Sequence, residues 1–451
     1  MEYNSSIILR KRKKSFTDVF IYISVVFMVM PDLNLGVPSF FSHVSLYSSL
    51  IYILLNLKTK IGNLKKSELA FAAVIVLAFL EGLLMNGIRG VSLAGWFRTL
   101  YGFIGFFLIY ISYRIFFMKK GYLIDRFWKT VFYSYTFILL AVGFIQLSYI
   151  HLGLFGFLNS SSRFILKRGS GYFIGLGGGG RPPFLFGEPS FCGTFFYTWF
   201  FPAFLWCKKK NVVTEKKANA IFGLMLFVNI LAFSSRFVVD TIVVLLVLLL
   251  SRIKSYKVKK KTFQKILLVL IGLAIVFVAF FNQITNLTVF KRIGYVLSSF
   301  QSGIGSGRDN SFIARFQYLR CGILGFLSMP LTGYGLGNYI EAFRKFVIIP
   351  NNVYAASEIR AVLNLDETSS FSFYTTFLCE CGILGLFLII IVLQNLLKIR
   401  KDTLRLVSWI IIFFLIQTEL YGFLTCAAWL AFINSDLYKS FNGYYKQYCI
   451  R

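Results

Sequence analysis

Residues 67–86 read SELAFAAVIVLAFLEGLLMN, a run of twenty residues in which only four side chains are polar. A helix of this length rises about 30 Å, which is the thickness of the hydrocarbon core of a bilayer. Similar apolar runs recur along the 451-residue chain, in which 57% of the residues are hydrophobic and 15% are charged. Soluble proteins carry about 25% charged residues. A single segment in lipid satisfies its backbone hydrogen bonds only as a helix, so the sequence predicts an all-α polytopic membrane protein.

The apolar runs predict about twelve membrane spans, with both termini in the cytoplasm. A basic cluster at residues 10–14 precedes the first run, and no small-residue cleavage site follows, so this run is predicted to be a retained span. Counting Lys265 at the membrane edge, this topology places 33 of the 48 basic residues on the cytoplasmic side, as the positive-inside rule requires. The predicted spans lie near residues 16–31, 38–57, 67–86, 94–113, 130–150, 189–207, 218–234, 237–251, 264–284, 369–396, 406–421 and 423–438.

The topology divides the chain into five parts, two of which are long segments outside the membrane. The longer segment exceeds the length of an ordinary connection, and such loops are usually functional. The internal connections predicted to be cytoplasmic are 58–66, 114–129, 208–217, 252–263 and 397–405. The five parts are 1–150 with spans one to five, 151–188 as the first periplasmic loop, 189–284 with spans six to nine, 285–368 as the large periplasmic loop, and 369–451 with spans ten to twelve.

Charge and cysteine usage exclude several functional classes. A net charge of +30 would suggest a nucleic-acid partner in a soluble domain, but the membrane topology accounts for most of it, so no nucleic acid is expected. The seven cysteines occur singly and offer neither a disulfide framework nor metal-ligand spacing. The two histidines, His43 and His151, have no partner visible in the sequence. We therefore expect neither a metal site nor a cofactor.

Basic residues predicted to lie outside the membrane depart from the positive-inside bias, so they are candidates for a functional role. Guanidinium groups bind phosphate in a bidentate geometry, so a cluster of outer arginines suits an anionic ligand. Solvated loop charge is the alternative interpretation, and it stays open for about half of these residues. They are Arg163, Lys167, Arg168 and Arg181 in the first outer loop, Arg236 at the outer end of a span, and Lys291, Arg292, Arg308, Arg315, Arg320, Arg344, Lys345 and Arg360 in the large loop.

Two outer carboxylates precede predicted spans. Residues 177–191 read GGGGRPPFLFGEPSF, in which Arg181 follows flexible glycines and has no evident structural requirement. Glu188 begins a Glu-Pro-Ser sequence that favours a helix start, so helix capping and a catalytic role are about equally open for it. Glu367 precedes the predicted span at 369–396, and capping is favoured over catalysis at that position.

Residues 306–326 predict an amphipathic helix within the large loop. Arg308 and Arg315 are seven residues apart and share a face that borders an apolar stripe. Such a helix suits the membrane surface, where its arginines reach either ordinary lipid phosphates or a specific substrate, with the substrate slightly favoured. Residues 330–338, PLTGYGLGN, then end the helix with turn residues. The stripe consists of Phe312, Phe316, Leu319, Ile323 and Phe326.

Together these features resemble the O-antigen polymerase family (Wzy-type), within the wider O-antigen ligase and polymerase superfamily. The resemblance covers roughly residues 160–400, and the first 150 residues match only as generic spans. Each motif is weak alone, and the order and sidedness of the set carry the resemblance. The motifs are Arg181-x6-Glu188-Pro189-Ser190, Ser234-Ser235-Arg236, Gly307-Arg308 with Arg315, the Pro330 to Asn338 turn, and Glu380-x-Gly382-Ile383-Leu384-Gly385.

The resemblance implies a metal-independent glycosyltransferase of the bacterial inner membrane with a GT-C-like helical architecture. Its substrates would be undecaprenyl-pyrophosphate-linked oligosaccharides in the lipid bilayer, joined on the periplasmic face, and a polysaccharide chain-length regulator is a further implied partner. The sugar is already activated, so neither ATP nor a cofactor is needed. A carboxylate, Glu188 ahead of Glu367, would accept the proton of the acceptor hydroxyl. The residues that would bind the pyrophosphate and stabilise its developing charge are Arg181, Arg236, Arg308 and Arg315.

Two other functions stay open at this point. An O-antigen ligase would transfer finished glycan to lipid A-core, but related ligases carry a histidine shortly before the E-x-G helix, and residues 369–371 are Ser-Ser-Phe. A lipid-linked oligosaccharide flippase would require charged residues within its spans, around a cavity. Charge within the predicted spans is sparse here, and the outer loops carry most of the charge outside the cytoplasm, which favours an outward-facing catalytic site.

Overall fold

A computed structural model describes residues 15–30, 43–57, 64–154, 184, 186, 191–230, 237, 240–248, 310–351, 353–365, 368–399, 403–418 and 423–442. Every regular element in this part of the chain is helical, and no strand occurs in it. The helices are α1 (Asp18–Phe27), α2 (Val44–Leu55), α3 (Lys66–Arg89), α4 (Ala94–Lys119), α5 (Ile124–Leu152), α6 (Phe191–Phe195, a π-helical turn Phe196–Phe200, and Phe201–Lys209), α7 (Glu215–Ile230), α8 (Asn310–Ser328), α9 (Tyr339–Phe346), α10 (Val353–Leu363), α11 (Phe373–Leu396), α12 (Thr403–Phe414) and α13 (Leu424–Asn434).

Four helices in the described residues are long and apolar enough to cross a membrane. They are α3, α4, α5 with the 3₁₀ turn before it (Gly121–Tyr149), and α11, while α1, α2, α12 and α13 are shorter apolar helices at predicted spans. One side of α3 is left uncovered, with Leu84 66% and Ile88 78% exposed, as suits a helix in contact with lipid. The prediction of an α-helical membrane protein is therefore confirmed. The count of twelve spans and the GT-C-like architecture stay predictions.

The ends of α3 follow directly from its sequence. The Glu68 carboxylate accepts a hydrogen bond of 2.7 Å from the Lys65 backbone N–H, and the Glu68 backbone N–H donates to the Lys65 carbonyl (2.8 Å), so these contacts satisfy backbone groups at the start of the helix. At the other end Gly90 adopts a left-handed conformation (φ 63°), which ends the helix at little steric cost. The apolar run between these two signals therefore becomes one uninterrupted helix.

Helix α4 continues to Lys119, beyond the predicted end of its span at residue 113. Arg114, which the sequence places in a cytoplasmic connection, is buried and forms an ion pair with Glu68 of α3. The Arg114 Nε lies 3.0 Å from Glu68 Oε1, and both side chains are 4% exposed. Each buried charge is thus neutralised by the other, which allows both to lie inside the helical bundle.

The predicted large loop contains a small helical subdomain with its own apolar core. Helices α8, α9 and α10 surround this core, which also includes Cys379 of α11. The buried side chains of α8 are Ile313, Ala314, Gln317, Tyr318 and Cys321. The described part of the loop is therefore packed against α11 through regular secondary structure.

The face of α8 that packs on the protein differs from the apolar stripe predicted for residues 306–326. Of that stripe, Ile323 is 47% exposed, and Phe316, Leu319 and Phe326 are only partly buried. Helix α11 is packed instead against small residues. A Cβ added at Gly322 would lie 2.8 Å from Thr375 Cβ, so the two helices approach closely at that position. The described side chains of the stripe are therefore not fully buried, and Ile323 faces outward, where it suits a membrane surface.

Four of the five connections predicted to be cytoplasmic have described residues at one end of the bundle, which we call the lysine end, and the fifth, 252–263, lies outside the described residues. Lys65 forms an ion pair with Asp436 (2.7 Å), and Lys120 forms one with Asp18 (3.3 Å). Further contacts there join Lys119 to Asn56 (3.0 Å), Lys398 to Asn434 (2.8 Å) and Lys210 to the Ser440 carbonyl. Four connections, 58–66, 114–129, 208–217 and 397–405, thus lie at the same end as the C-terminal segment.

Cysteine labelling tests which side of the membrane each end faces. In a background free of the seven natural cysteines, we expect Arg360→Cys on α10 to react with an impermeant maleimide in intact spheroplasts. Lys216→Cys on α7 should react only after lysis, because positive-inside charge places the lysine end in the cytoplasm. Both positions are solvent-exposed, so access decides the result. Labelling of Lys216→Cys in intact spheroplasts, with Arg360→Cys protected, would contradict the predicted topology.

Candidate functional site

The turn at residues 330–338 is inserted into the bundle at the end opposite the lysine end. The backbone N–H groups of Tyr334 and Gly335 donate to the carbonyls of Cys379 (2.9 Å) and Glu380 (2.7 Å) of α11. In return the Ile383 N–H donates to the Leu331 carbonyl (3.3 Å). These bonds attach the turn to the middle of α11 and bring together the turn motif and the E-x-G motif.

Glycines make this insertion possible. Gly382 interrupts α11 with non-helical angles (φ 50°, ψ −125°), and a Cβ there would lie 2.6 Å from the Leu331 carbonyl oxygen. Gly337 has φ 86°, and its missing Cβ would lie 2.3 Å from the carbonyl carbon of Gly95 at the start of α4. A side chain at either position would collide with backbone and would also strain the left-handed conformation. The spacing of glycines in both motifs therefore has a structural cause.

The Glu380 carboxylate is buried next to the turn, at 1% exposure. Its Oε1 accepts a hydrogen bond of 3.2 Å from the backbone N–H of Tyr339, the first residue of α9. A negative charge at a helix N-terminus is favourable, because the first N–H groups lack partners within the helix. Glu380 thus holds α9 against α11 and sets the orientation of the helix that carries Glu341, Arg344 and Lys345.

Beside the turn lies an open cleft with a volume of about 480 Å³. The Arg89 guanidinium donates to the carbonyls of Tyr334 (2.9 Å) and Gly333 (3.3 Å), and it lies 5.3 Å from the centre of the Tyr334 ring. Arg344 forms an ion pair with Glu341 at 2.9 Å, and both side chains are partly exposed. The full lining is Arg89, Val91, Met329, Tyr334, Glu341, Arg344 and Lys345.

The cleft suits an anionic ligand. Its lining contains three cations, Arg89, Arg344 and Lys345, and a single carboxylate, Glu341, so the cleft carries net positive charge. The two guanidinium groups offer the planar donor geometry that matches phosphate oxygens. Arg89 is already oriented by the turn, so binding would cost it little conformational entropy.

Of the six site residues predicted from the sequence, the structure describes only Arg315. Arg315 lies on α8 with an exposed side chain, and it is not part of the cleft lining. The Arg315 side chain forms no hydrogen bond and no ion pair with any other described residue. The other five predicted residues lie outside the described residues; they are Arg181, Glu188, Arg236, Arg308 and Glu367.

Residues next to two of these positions are fixed by the bundle. Gln146 of α5 accepts from the Phe184 N–H (2.8 Å) and donates to the Phe184 carbonyl (2.9 Å). This double hydrogen bond anchors the chain between Arg181 and Glu188. Arg98 of α4 donates to the Thr368 carbonyl (3.1 Å), directly after Glu367. Both candidate carboxylates are thus close in sequence to anchored backbone.

Sequence reasoning did not single out Arg89 and Arg98 as functional residues. Both lie at helix ends in the first 150 residues, the region that resembles the family only as generic spans. The signal that could have found them is the positive-inside bias, since each is an isolated arginine at a predicted outer end. Their contacts with residues 333, 334 and 368 span about half of the chain and are not visible in local sequence.

No family model matches the chain, and a search of the curated proteins finds no match to it.

Proposed function

We propose that the protein is a polymerase for O-antigen or a related surface polysaccharide. It joins undecaprenyl-pyrophosphate-linked repeat units at the periplasmic face of the bacterial inner membrane. The observation that carries the proposal is the cationic cleft beside the inserted turn, at the end of the bundle away from the lysine end. One motif of the resemblance, the turn at residues 330–338, lines that cleft through Tyr334, and backbone hydrogen bonds attach this turn to the E-x-G segment of α11.

The proposed reaction needs an anion site and a base. The acceptor hydroxyl oxygen forms a bond to the anomeric carbon of the donor sugar, and the bond from that carbon to the pyrophosphate oxygen breaks. The lipid pyrophosphate leaves with the bonding electrons, so negative charge develops on its bridging oxygen. Fixed guanidinium groups next to that oxygen stabilise this charge most in the transition state.

We assign Arg89, Arg344 and Lys345 to this pyrophosphate site, in addition to the outer arginines proposed from the sequence. Those earlier candidates are Arg181, Arg236, Arg308 and Arg315. Arg89 is the best-positioned member, since its two backbone hydrogen bonds fix the guanidinium plane. The proposal includes the twelve-span, GT-C-like architecture with the cleft facing the periplasm.

The proton of the acceptor hydroxyl is proposed to pass to a carboxylate, Glu188 ahead of Glu367. Glutamine at a true base keeps size and most hydrogen bonding but removes the basic group. We therefore expect Glu188→Gln to lower turnover by about 10²–10⁴-fold, as much as alanine does. A carboxylate that only caps a helix would tolerate glutamine with little loss.

Turnover of purified variants with a lipid-linked repeat unit measures this effect. Glu367→Gln serves as the paired variant, because it changes the second candidate in the same way. Wild-type turnover in both glutamine variants would refute a carboxylate base at either position.

Lipopolysaccharide from a deletion strain tests the proposed function in the cell. Loss of a polymerase should give lipid A-core capped with a single repeat unit, because ligation and flipping remain intact. Loss of a ligase or of a flippase should give bare core instead. Complementation with the wild-type chain should restore the ladder of longer glycans, and bare core in the deletion strain would reject the polymerase proposal.

A further inference from the structure

The lysine end contains a second cavity, which the proposed reaction does not use. It lies between α3, α4, α11 and α13 and has a volume of about 180 Å³. Phe71, Phe107, Ile111, Val392 and Leu430 form apolar walls around it. An apolar cavity of about 150 Å³ is large enough to hold a benzene ring, so this one has room for a short length of hydrocarbon chain.

The cavity borders the uncovered side of α3. Leu64 and Leu69, both in its lining, are 45% and 53% exposed on the protein surface. Further along the same helix Val76 and Leu77 are 57% and 51% exposed. An exposed apolar surface on a candidate membrane span is the surface that faces lipid. The cavity therefore lies where a lipid chain can reach it from the bilayer.

The acidic residue at the polar end of the cavity is already neutralised. Glu68 accepts hydrogen bonds from Arg114 (3.0 Å) and from the Tyr110 hydroxyl. Asn434 donates to the same Tyr110 oxygen (3.0 Å), so the network is continuous from α3 to α13. This fixed ion pair leaves no net charge from Glu68 to repel an anion.

Lys398 supplies a cation at the same end. Its ammonium group donates to three neutral oxygens, Ser67 Oγ (2.9 Å), Asn395 Oδ1 (2.5 Å) and Asn434 Oδ1 (2.8 Å). Ser67, Asn395 and Asn434 all line the cavity. No carboxylate forms an ion pair with Lys398 in the part of the chain that the structure describes. Burial lowers the pKa of Lys398, and the nearby cations Lys65 and Arg114 lower it further, while Glu68 and Asp436 act in the opposite direction.

The remaining charges nearby leave the cavity mouth positive. Lys65 shares its partner Asp436 (2.7 Å) with Lys439 (3.4 Å), so one carboxylate serves two lysines. With Lys398, three lysines thus face a single aspartate. Basic pockets between transmembrane helices on the cytoplasmic side are typical sites for anionic lipid head groups.

We propose that this cavity binds an anionic phospholipid of the adjacent leaflet, with part of an acyl chain between Phe71 and Leu430 and the phosphate at Lys398 and Lys65. The phosphate adds negative charge next to three lysines that share one aspartate, and the apolar walls bury hydrocarbon. The site is independent of the proposed polymerase activity, because it lies at the opposite end of the bundle from the cleft.

Native mass spectrometry of the full-length protein in detergent tests the site with phosphatidylglycerol and phosphatidylcholine as probes. We expect wild type to retain phosphatidylglycerol in preference to phosphatidylcholine. Lys398→Gln should bind phosphatidylglycerol about fivefold more weakly, because it removes one cation from the head-group site. Lys208→Gln is the matched control, since Lys208 is an exposed lysine at the same end that is paired with Glu215 (2.9 Å), and it should bind as wild type does.

Ala72→Leu provides a second variant that keeps every charge and fills part of the apolar cavity, which Ala72 lines. It should also lose selective retention of phosphatidylglycerol, which keeps the test valid if Lys398→Gln fails to fold. Thermal unfolding gives an independent readout, since a ligand that binds only the folded state raises the melting temperature. Equal retention of the two lipids by wild type, equal binding by the Lys398 and Lys208 variants, or equal stabilisation by inorganic phosphate alone would overturn the proposal.

Discussion

Replacing both Arg89 and Arg344 with alanine is expected to lower polymerisation by at least about 10²-fold, while the protein still inserts into the membrane. Removal of a single fixed donor to a developing oxyanion costs about 10²–10³-fold in turnover in well-studied enzymes. Both guanidinium groups line the cationic cleft, and Arg89 is oriented there by two backbone carbonyls. Polymer length on gels, normalised to the amount of membrane-inserted protein, measures the effect.

Replacing both arginines with lysine tests whether positive charge alone is sufficient or whether the planar guanidinium geometry is also needed. Lysine retains the cation but lacks the planar fork of donors, so we expect only weak rescue. Arg360→Ala removes an exposed arginine from α10 in the same outer subdomain and should leave polymerisation unchanged. Full activity in the Arg89 and Arg344 double alanine variant would remove the cleft from the mechanism.

The second large effect is expected from Gly95→Ala, which should destabilise the inserted turn. A Cβ on Gly95 would lie 2.0 Å from the Gly337 carbonyl oxygen, and the clash is with backbone, so no side-chain rotation relieves it. Overpacking of this kind costs about 1–3 kcal/mol, and more where backbone has to shift. Thermal unfolding of the purified protein should therefore show a melting temperature several degrees lower, with the reaction impaired as well.

Gly87→Ala is the matched control for this substitution. Gly87 lies on α3 directly after Asn86, which accepts a hydrogen bond from Asn338 of the turn, and a Cβ at Gly87 meets nothing within 4 Å. Alanine is favoured over glycine inside a helix by about 0.5–1 kcal/mol, so this variant should be as stable as wild type or more stable. Equal melting temperatures for the Gly95 and Gly87 variants would contradict close packing of the turn against α4.

The positions of α3 and α11 were predictable because each follows from a long apolar run. The run at 67–86 became α3, and the predicted span at 369–396 contains α11 from Phe373 to Leu396. Local sequence also gave the helix break at residues 330–338. The insertion of that turn between α3, α4 and α11 was not predictable, because it depends on backbone contacts between Gly337 and Gly95, far apart in the chain.

Buried charge explains most of the remaining differences between prediction and structure. Arg114 was assigned to the predicted connection 114–129, yet it lies in α4, where its ion pair with Glu68 neutralises the buried charge. Arg89 was missed because its hydrogen-bond partners, the carbonyls of the turn, are far from it in the sequence. Residues 310–326 of the predicted amphipathic helix lie in α8, but small residues outside the predicted stripe, such as Gly322, decide where α11 packs.

The most direct test of the central claim is the reaction of purified protein in lipid nanodiscs with an undecaprenyl-pyrophosphate-linked repeat unit. The account predicts a ladder of glycans that increases by one repeat unit per step. It also predicts one undecaprenyl pyrophosphate released for each bond formed, with both products lost in the Arg89 and Arg344 double alanine variant. A wild-type protein that binds the repeat unit yet releases no lipid pyrophosphate and forms no longer glycan would contradict the claim that this cleft polymerises lipid-linked sugars.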